Sequence, residues 1–187
     1  TNTSLDARMT SERRHVKLER GEALFRVAHE QRPFEVEARG RLLRAVGTVF
    51  SVRVDQDASV LLVIEGAVRV APVNGGGSVL VTASQRFDME SGARTRASAD
   101  TIDRALAWRE GMLDFDGVSL DIVVAEVERY TGAHFEFADP DLASLSMAAY
   151  FRAADLDGFI SLLETSYSLL RVRKTEQGYL IERRPDR

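Results

Sequence analysis

The side chains that could carry out chemistry are few and far apart in the sequence. The three histidines are His15, His29 and His134, and none of them forms the i, i+4 pair with which a helix presents two metal ligands. The chain has no cysteine, which excludes disulfide scaffolds, thiolate zinc sites and thiol catalysis. A serine-hydrolase G-x-S-x-G motif is also absent. The sequence therefore predicts no catalytic residue, no metal site and no cofactor.

Two further polar segments favour surface roles. The glycine-rich residues 74–77 are not followed by Lys-Ser or Lys-Thr, so they predict a hairpin turn and not a phosphate-binding loop. Asp114 and Asp116 flank Phe115 and are expected on the solvated face of a strand. The net charge is −4, and the basic residues near the start are interleaved with Glu12 and Glu19, which argues against a nucleic-acid-binding face.

The N-terminal half has the pattern of an all-β domain. Between residues 15 and 88, β-branched and aromatic residues alternate with polar ones, and residues 60–64 are apolar throughout, which predicts burial on both faces. One of the turns between these strands is expected at residues 55–57. Gly21, Gly47 and Gly66 each lead into a strand, and they predict either corners in a coil-like stack or three independent hairpin turns. Next to the second of these glycines, the predicted core residues are Val46, Phe50 and Val52.

The C-terminal half changes to a helical period. Ser119 and Asp155 are predicted N-caps, and each is followed by apolar residues one, four, five and eight positions later. Each predicted helix lies between two strand-like segments, which predicts two β-α-β units in tandem, with both helices on one face of one small sheet. Residues 98–107 are rich in small and polar residues and carry one short helical turn at residues 102–107. We therefore expect a β-rich, solenoid- or sandwich-like domain over residues 1–99, a linker over residues 100–107 and a small α+β domain over residues 108–187.

Five segments, taken in their order and spacing, resemble the FecR family of anti-sigma regulators. The resemblance implies that the first domain is the β-rich FecR domain. The second domain, with Arg129 and Tyr130 at the end of its first helix, is similar to the short N-terminal domain of secretins and TonB-dependent transducers. The five segments are GEALFRV (residues 21–27), RPFEV (32–36), AVGTVFSV (45–52), IEGAV (64–68) and WREGMLDF (108–115).

The resemblance also implies a location and partners. Members of the family cross the inner membrane of Gram-negative bacteria once, and this chain is similar to their periplasmic part. It is expected to bind the periplasmic signalling domain of a TonB-dependent outer-membrane receptor and to control an extracytoplasmic-function sigma factor. The cytoplasmic segment that contacts the sigma factor, the membrane helix and the first strands of the FecR domain are expected to precede residue 1. Nucleic acid is not an expected partner.

The expected binding mode is the addition of a partner strand to an open sheet edge. The candidate contact residues are at the end of the first predicted helix and in the strand after it: Glu128, Arg129, Tyr130, His134 and Glu136. The alternative function is a carbohydrate- or peptidoglycan-binding module, which would need exposed aromatic rings in the β-rich half. The β-rich half offers only Phe25, Phe34, Phe50 and Phe87 for such a role, and three of these alternate with polar residues and are core candidates instead.

Two positions depart from the family pattern. Ser84 stands before Gln85 where the family often has glycine, and Ala149 stands before Tyr150 where glycine is also common. Both departures concern the geometry of local turns, because glycine adopts backbone conformations that other residues avoid.

Overall fold

The computed structural model describes residues 3–55 and 59–185, and the chain divides into two compact units, Thr1–Ile102 and Asp103–Arg187. Part of the predicted turn at residues 55–57, namely Gln56 and Asp57, lies outside the described residues. No helix among the described residues is long and apolar enough to cross a membrane.

The first unit is rich in β-structure, as its alternating sequence predicts. Its strands form one large, nearly closed sheet in the order β10-β9-β6-β5-β2-β3-β4-β7-β8, with β1 also paired to β2. Pairing is antiparallel except between β2 and β3, so the arrangement is sandwich-like and is not a stack of parallel coils. The strands are β1 (Ser4–Met9), β2 (Arg14–Arg26), β3 (Phe34–Ala38), β4 (Arg41–Ala45), β5 (Val49–Val54), β6 (Ser59–Glu65), β7 (Ala67–Pro72), β8 (Val79–Thr82), β9 (Gln85–Asp88) and β10 (Arg94–Arg96).

Strand β2 belongs to both halves of this sandwich and changes partner at a glycine. Its first part pairs with β1 and β3, whereas its part from Gly21 onward pairs with β5. Gly21 has φ +88°, a backbone conformation that residues with a side chain rarely adopt. The strand can therefore turn from one half of the sandwich to the other, although this corner is not part of a coil-like stack.

The core of the first unit corrects one expectation. Phe50 and Val52 are fully buried, and the strand over residues 60–64 is buried at Leu61, Leu62 and Val63, as predicted. Val46, however, is 42% exposed, so its assignment to the core was wrong. The residue precedes the turn at Gly47, where φ is +60° and the strand alternation no longer fixes which side chain points inward.

The turn between β8 and β9 keeps the glycine-like geometry without glycine. Ser84 has φ +60°. Its N–H donates to Val63 O at 2.9 Å, and its carbonyl accepts from Ala97 N at 2.9 Å. These bonds hold a strained conformation that costs a non-glycine residue roughly 1–2 kcal/mol, so the departure from the family pattern leaves the turn itself in place.

The second unit contains the two predicted β-α-β units, and its order of elements follows the sequence prediction. Helix α1 (Ala99–Leu106) spans the division between the units and is longer than the predicted turn, because Ser98 Oγ accepts from Thr101 N at 3.1 Å at its start. Two 3₁₀ helices, Ala107–Glu110 and Pro140–Ser144, complete the unit. The other elements are β11 (Met112–Ser119), α2 (Leu120–Thr131), β12 (Phe135–Phe137), β13 (Ser146–Arg152), α3 (Leu156–Ser166), β14 (Leu170–Lys174) and β15 (Tyr179–Arg183).

The expectation of one small sheet in this unit was wrong. Strands β11 and β13 form a two-stranded antiparallel sheet, and β12, β15 and β14 form a separate three-stranded sheet. Helix α2 contacts the first sheet, and α3 contacts both β13 and β14. Side chains from both helices and both sheets share one buried core, which includes Val127, Phe159, Met147 and Ile181. Each β-α-β unit therefore sends its first strand to one sheet and its second strand to the other.

Candidate partner-binding surface

The end of α2 and the strand β12 bring three of the five candidate residues together. Gly132 ends α2 in the left-handed conformation, and β12 begins three residues later. His134 lies between two carboxylates, with Nδ1 3.2 Å from Glu128 Oε1 and Nε2 3.7 Å from Glu136 Oε1. The side chains of His134 and Glu136 are 60% and 57% exposed. The Glu128 side chain is only 29% exposed, so the three residues form a polar cluster beside β12 that is accessible mainly at His134 and Glu136.

The other two candidates, Arg129 and Tyr130, lie in a different environment. The Arg129 side chain is only 10% exposed and pairs with the buried Glu126, whose Oε2 lies 3.3 Å from Arg129 Nε. The guanidinium also lies 4.5 Å from the centre of the Tyr130 ring, which itself packs against the core. Sequence reasoning did not single out Glu126, although its i, i+3 spacing from Arg129 is a signal for such a pair. Arg129 therefore offers a partner little surface and acts mainly inside the fold.

Strand β12 is an edge strand, but its outer edge is partly closed. His134 O accepts from Tyr179 N, and Ala138 N donates to Ile181 O. The backbone N–H and C=O groups of the even-numbered residues in this segment therefore face β15. The backbone of Phe135 and Phe137 consequently faces away from the sheet. There, Phe135 N–H donates to Glu128 Oε1 at 2.6 Å. An incoming strand could use this donor only after displacing Glu128.

The opposite edge of the same sheet is closed in the same way. Val172 N–H, on β14, donates to Glu164 Oε1 of α3 at 2.8 Å. Glu128 and Glu164 stand nine residues after the N-caps Ser119 and Asp155, so they occupy the same position of the two repeated helices. In each β-α-β unit, the last part of the helix supplies a carboxylate to the strand that follows. Such side chains are a known means of protecting sheet edges.

The solvent-facing side of the three-stranded sheet is charged. Glu136, Leu180 and Arg173 form one row across β12, β15 and β14. In the next row, the hydrogen bond from the Arg171 guanidinium holds the pKa of the Glu182 carboxyl below its usual range, and Arg173, 3.5 Å away, adds to the effect. An open depression of about 690 Å³ is lined by residues of the first row and of the β14–β15 turn. Its mixed charges suit polar protein contacts, and no group of metal ligands occurs among the described residues.

The aromatic residues that a glycan-binding face would need are in the interior of the first unit. Phe50 and Phe87 are fully buried, and Phe34 is 9% exposed. Phe25 packs against this core, with its ring 5.2 Å from that of Phe50 and 5.5 Å from that of Phe34. These rings stabilise the sandwich and are not available for stacking on a sugar.

The described residues thus form a β-sandwich-like unit and a small α+β unit, in which carboxylates occupy the outer N–H groups of β12 and β14. Comparison with known proteins adds a family match and a shared fold. Residues 1–69 match the family model described as FecR protein, and the chain therefore contains a FecR-family domain. No curated protein matches the sequence at a significant level.

Two solved structures share the fold over almost the whole chain. Both are crystal structures of a putative anti-sigma factor from Parabacteroides distasonis, and both are 21% identical in sequence to this chain. One has a TM-score of 0.75 and covers 98% of this chain and 89% of that chain. The other has a TM-score of 0.73 and covers 95% and 84% respectively. At this identity the likeness shows a shared fold.

Proposed function

We propose that the chain is the periplasmic signal-relay part of a FecR-type transmembrane anti-sigma regulator. The single observation that carries the proposal is the FecR match over residues 1–69, and the fold shared over 98% of the chain with a structure described as a putative anti-sigma factor extends it. The full-length regulator has an inner-membrane helix and a cytoplasmic segment that acts on an extracytoplasmic-function sigma factor. The chain works by binding a partner, and the proposal includes no catalysed reaction.

The partner in this proposal is the periplasmic signalling domain of a TonB-dependent outer-membrane receptor, which docks on the second unit. Its contact is the cluster of Glu128, His134 and Glu136, in which His134 and Glu136 are exposed, together with the adjoining charged face of the three-stranded sheet. Because Glu128 already occupies the outer N–H of Phe135, this contact is made through side chains and not by strand addition to β12.

A charge-reversal experiment tests the receptor contact. Glu136→Arg changes an exposed side chain in the centre of the proposed surface, and we expect it to weaken binding to the purified receptor signalling domain at least about tenfold. Glu12→Arg makes the same change on an exposed residue of the first unit and serves as the matched control. The affinities are measured by isothermal titration calorimetry, with circular dichroism to verify folding. Equal affinities of the two variants would refute this contact.

Regulation of the sigma factor requires a separate test in cells. The full-length regulator is produced together with the extracytoplasmic-function sigma factor that it is proposed to control, and a promoter of that sigma factor drives a reporter. If the proposal holds, deletion of residues 108–187 makes the reporter insensitive to the receptor's inducing ligand. A reporter that still responds through the receptor would contradict a relay role for the second unit.

A further inference from the structure

Strand β13 has the least protected edge of the second unit. The backbone N–H and C=O groups of its odd-numbered residues face β11, because Leu145 O accepts from Leu120 N and Ala153 N donates to Gly111 O. The backbone groups of its even-numbered residues face away from β11. The two ends of this outer edge are closed, since Ser146 O accepts from the Tyr167 hydroxyl and Arg152 O accepts from Asp155 N at 3.0 Å.

Between these ends, the backbone groups of Ala148 and Tyr150 have no hydrogen-bond partner among the described residues. Each of the two residues has one outward N–H and one outward C=O. Both residues are exposed, and 61% of Tyr150 is accessible to solvent, the largest such fraction among the exposed large hydrophobic residues. A short stretch of sheet edge and a large aromatic ring are therefore presented together.

The other edge of the same two-stranded sheet is protected. Strand β11 contains a bulge between Phe115 and Val118, and Gly117 in this bulge has φ +66°. Its acidic residues pair with Arg104 of α1, whose Nη2 lies 2.9 Å from Asp116 Oδ2. A bulge and fixed charges discourage strand addition at β11. With carboxylates on β12 and β14, the outer edge of β13 is the one that remains suited to pairing.

We propose that this edge pairs antiparallel with β13 of a second copy of the chain, around a two-fold axis at Ala149. In this register Ala148 lies opposite Tyr150 of the second copy, and the two residues exchange both backbone hydrogen bonds. The reciprocal pair does the same by symmetry. The four open groups of each copy are thereby all satisfied, and the two sheets join into one four-stranded sheet.

The side chains support a second copy as the occupant. Tyr150 and Ala148 lie on the same face of β13, so each exposed ring lies beside the small side chain of the opposing strand. At the two-fold axis, Ala149 lies opposite Ala149 of the second copy, and a larger residue there would crowd the core-facing side of the sheet. No like charges oppose each other within this central segment. The contact is short, and we therefore expect a weak dimer that forms at high local concentration.

Disulfide trapping tests the pairing, because the chain has no cysteine of its own. Residues at a non-hydrogen-bonded antiparallel pair have Cα atoms about 4.5 Å apart, within the range of about 4.4–6.8 Å that a disulfide bridges. Ala149→Cys should form this pair with its own copy, whereas Ala148→Cys faces Tyr150. After correction for thiol reactivity, we expect Ala149→Cys to form covalent dimers at least about tenfold faster. Equal or faster cross-linking of Ala148→Cys would overturn the proposal.

A second variant tests the hydrogen bonds themselves. Tyr150→Pro removes an outward N–H that β11 does not use, so the fold is expected to persist, as circular dichroism would verify. In the Ala149→Cys background it should reduce dimer formation to the rate of Ala148→Cys, and an unchanged rate would refute the strand pairing. If Ala149→Cys stays monomeric, yet its thiol is protected from labelling by the receptor signalling domain, the edge belongs to the receptor and the second-copy proposal is wrong.

Discussion

The two β-α-β units of the C-terminal region have corresponding helices but differ in what surrounds them. Both helices place a glutamate on the N–H of the following strand, Glu128 on Phe135 and Glu164 on Val172. The helices differ at the positions two before and one after this glutamate. Helix α2 has Glu126 and Arg129 there, whereas α3 has Leu162 and Thr165. The repeat therefore conserves the protection of its sheet edges and not the chemistry of its helix faces.

This difference indicates which residues each unit needs to fold. In α2, a buried ion pair replaces the apolar and hydroxyl side chains that α3 uses at the same positions. A buried pair contributes little net stability, but removal of one partner leaves the other charge buried without compensation. The first β-α-β unit should therefore be sensitive to substitution at positions where the second β-α-β unit is tolerant.

Breaking the buried pair has the largest expected effect. Glu126→Leu introduces the residue type that α3 has at the equivalent position, Leu162, but leaves Arg129 buried without this carboxylate. We expect a loss of about 3–5 kcal/mol in the free energy of unfolding. The double variant Glu126→Leu/Arg129→Met removes both charges and should recover most of this loss. Urea denaturation followed by circular dichroism measures both. A double variant no more stable than the single variant would contradict the comparison.

Removal of the edge carboxylates has the next largest effect, and it should be similar in the two units. Glu128→Ala and Glu164→Ala each leave a strand N–H without its acceptor, at an expected cost of about 1–3 kcal/mol. Amide hydrogen exchange should also speed up locally, at Phe135 in one variant and at Val172 in the other. The Gln variants keep an acceptor and serve as controls with smaller losses. A loss confined to one unit would show that the two carboxylates are not equivalent.

The helix N-caps differ between the units and provide a smaller effect. Asp155 Oδ1 accepts from Gly158 N at 2.9 Å, whereas the Ser119 side chain makes no capping bond. Asp155→Ala should therefore cost about 1 kcal/mol, and Ser119→Ala less than about 0.5 kcal/mol. Thermal unfolding by differential scanning calorimetry distinguishes the two variants. Equal losses would mean that the Ser119 hydroxyl caps α2 in solution.

The sequence predicted the local features of these units and missed the non-local ones. The helix starts after Ser119 and Asp155 and the order of strands follow from residue preferences and apolar periods, which are properties of neighbouring residues. Gly158, inside a helix, is explained only by the structure: a Cβ there would lie 2.3 Å from Asp155 Oδ2 and displace the cap.

Strand pairing depends on distant residues, so the division into two sheets could not be inferred from spacing. The arrangement of the candidate surface also depends on distant residues, so the sequence indicated only part of it. Glu128, His134 and Glu136 are neighbours along the chain and lie together, but the burial of Arg129 depends on how α2 packs. Overlaying the two helices in the sequence would have revealed Glu128 and Glu164 as an equivalent pair. Only the backbone directions of β12 and β14 show that both residues protect a sheet edge.

The smallest predicted effect concerns the C-terminal ends of the two helices at alkaline pH. Tyr167 follows α3 and donates to Ser146 O, whereas its counterpart Thr131 donates to Val127 O and does not titrate. Burial raises the pKa of the Tyr167 hydroxyl above its ordinary value of 10.0. The unfolded chain therefore loses this proton first, and the stabilising contribution, complete below pH 10, falls as the pH rises through the folded pKa. Tyr167→Phe should remove this part of the alkaline loss in urea unfolding measured from pH 8 to 11, and an unchanged pH profile would assign the loss to other groups.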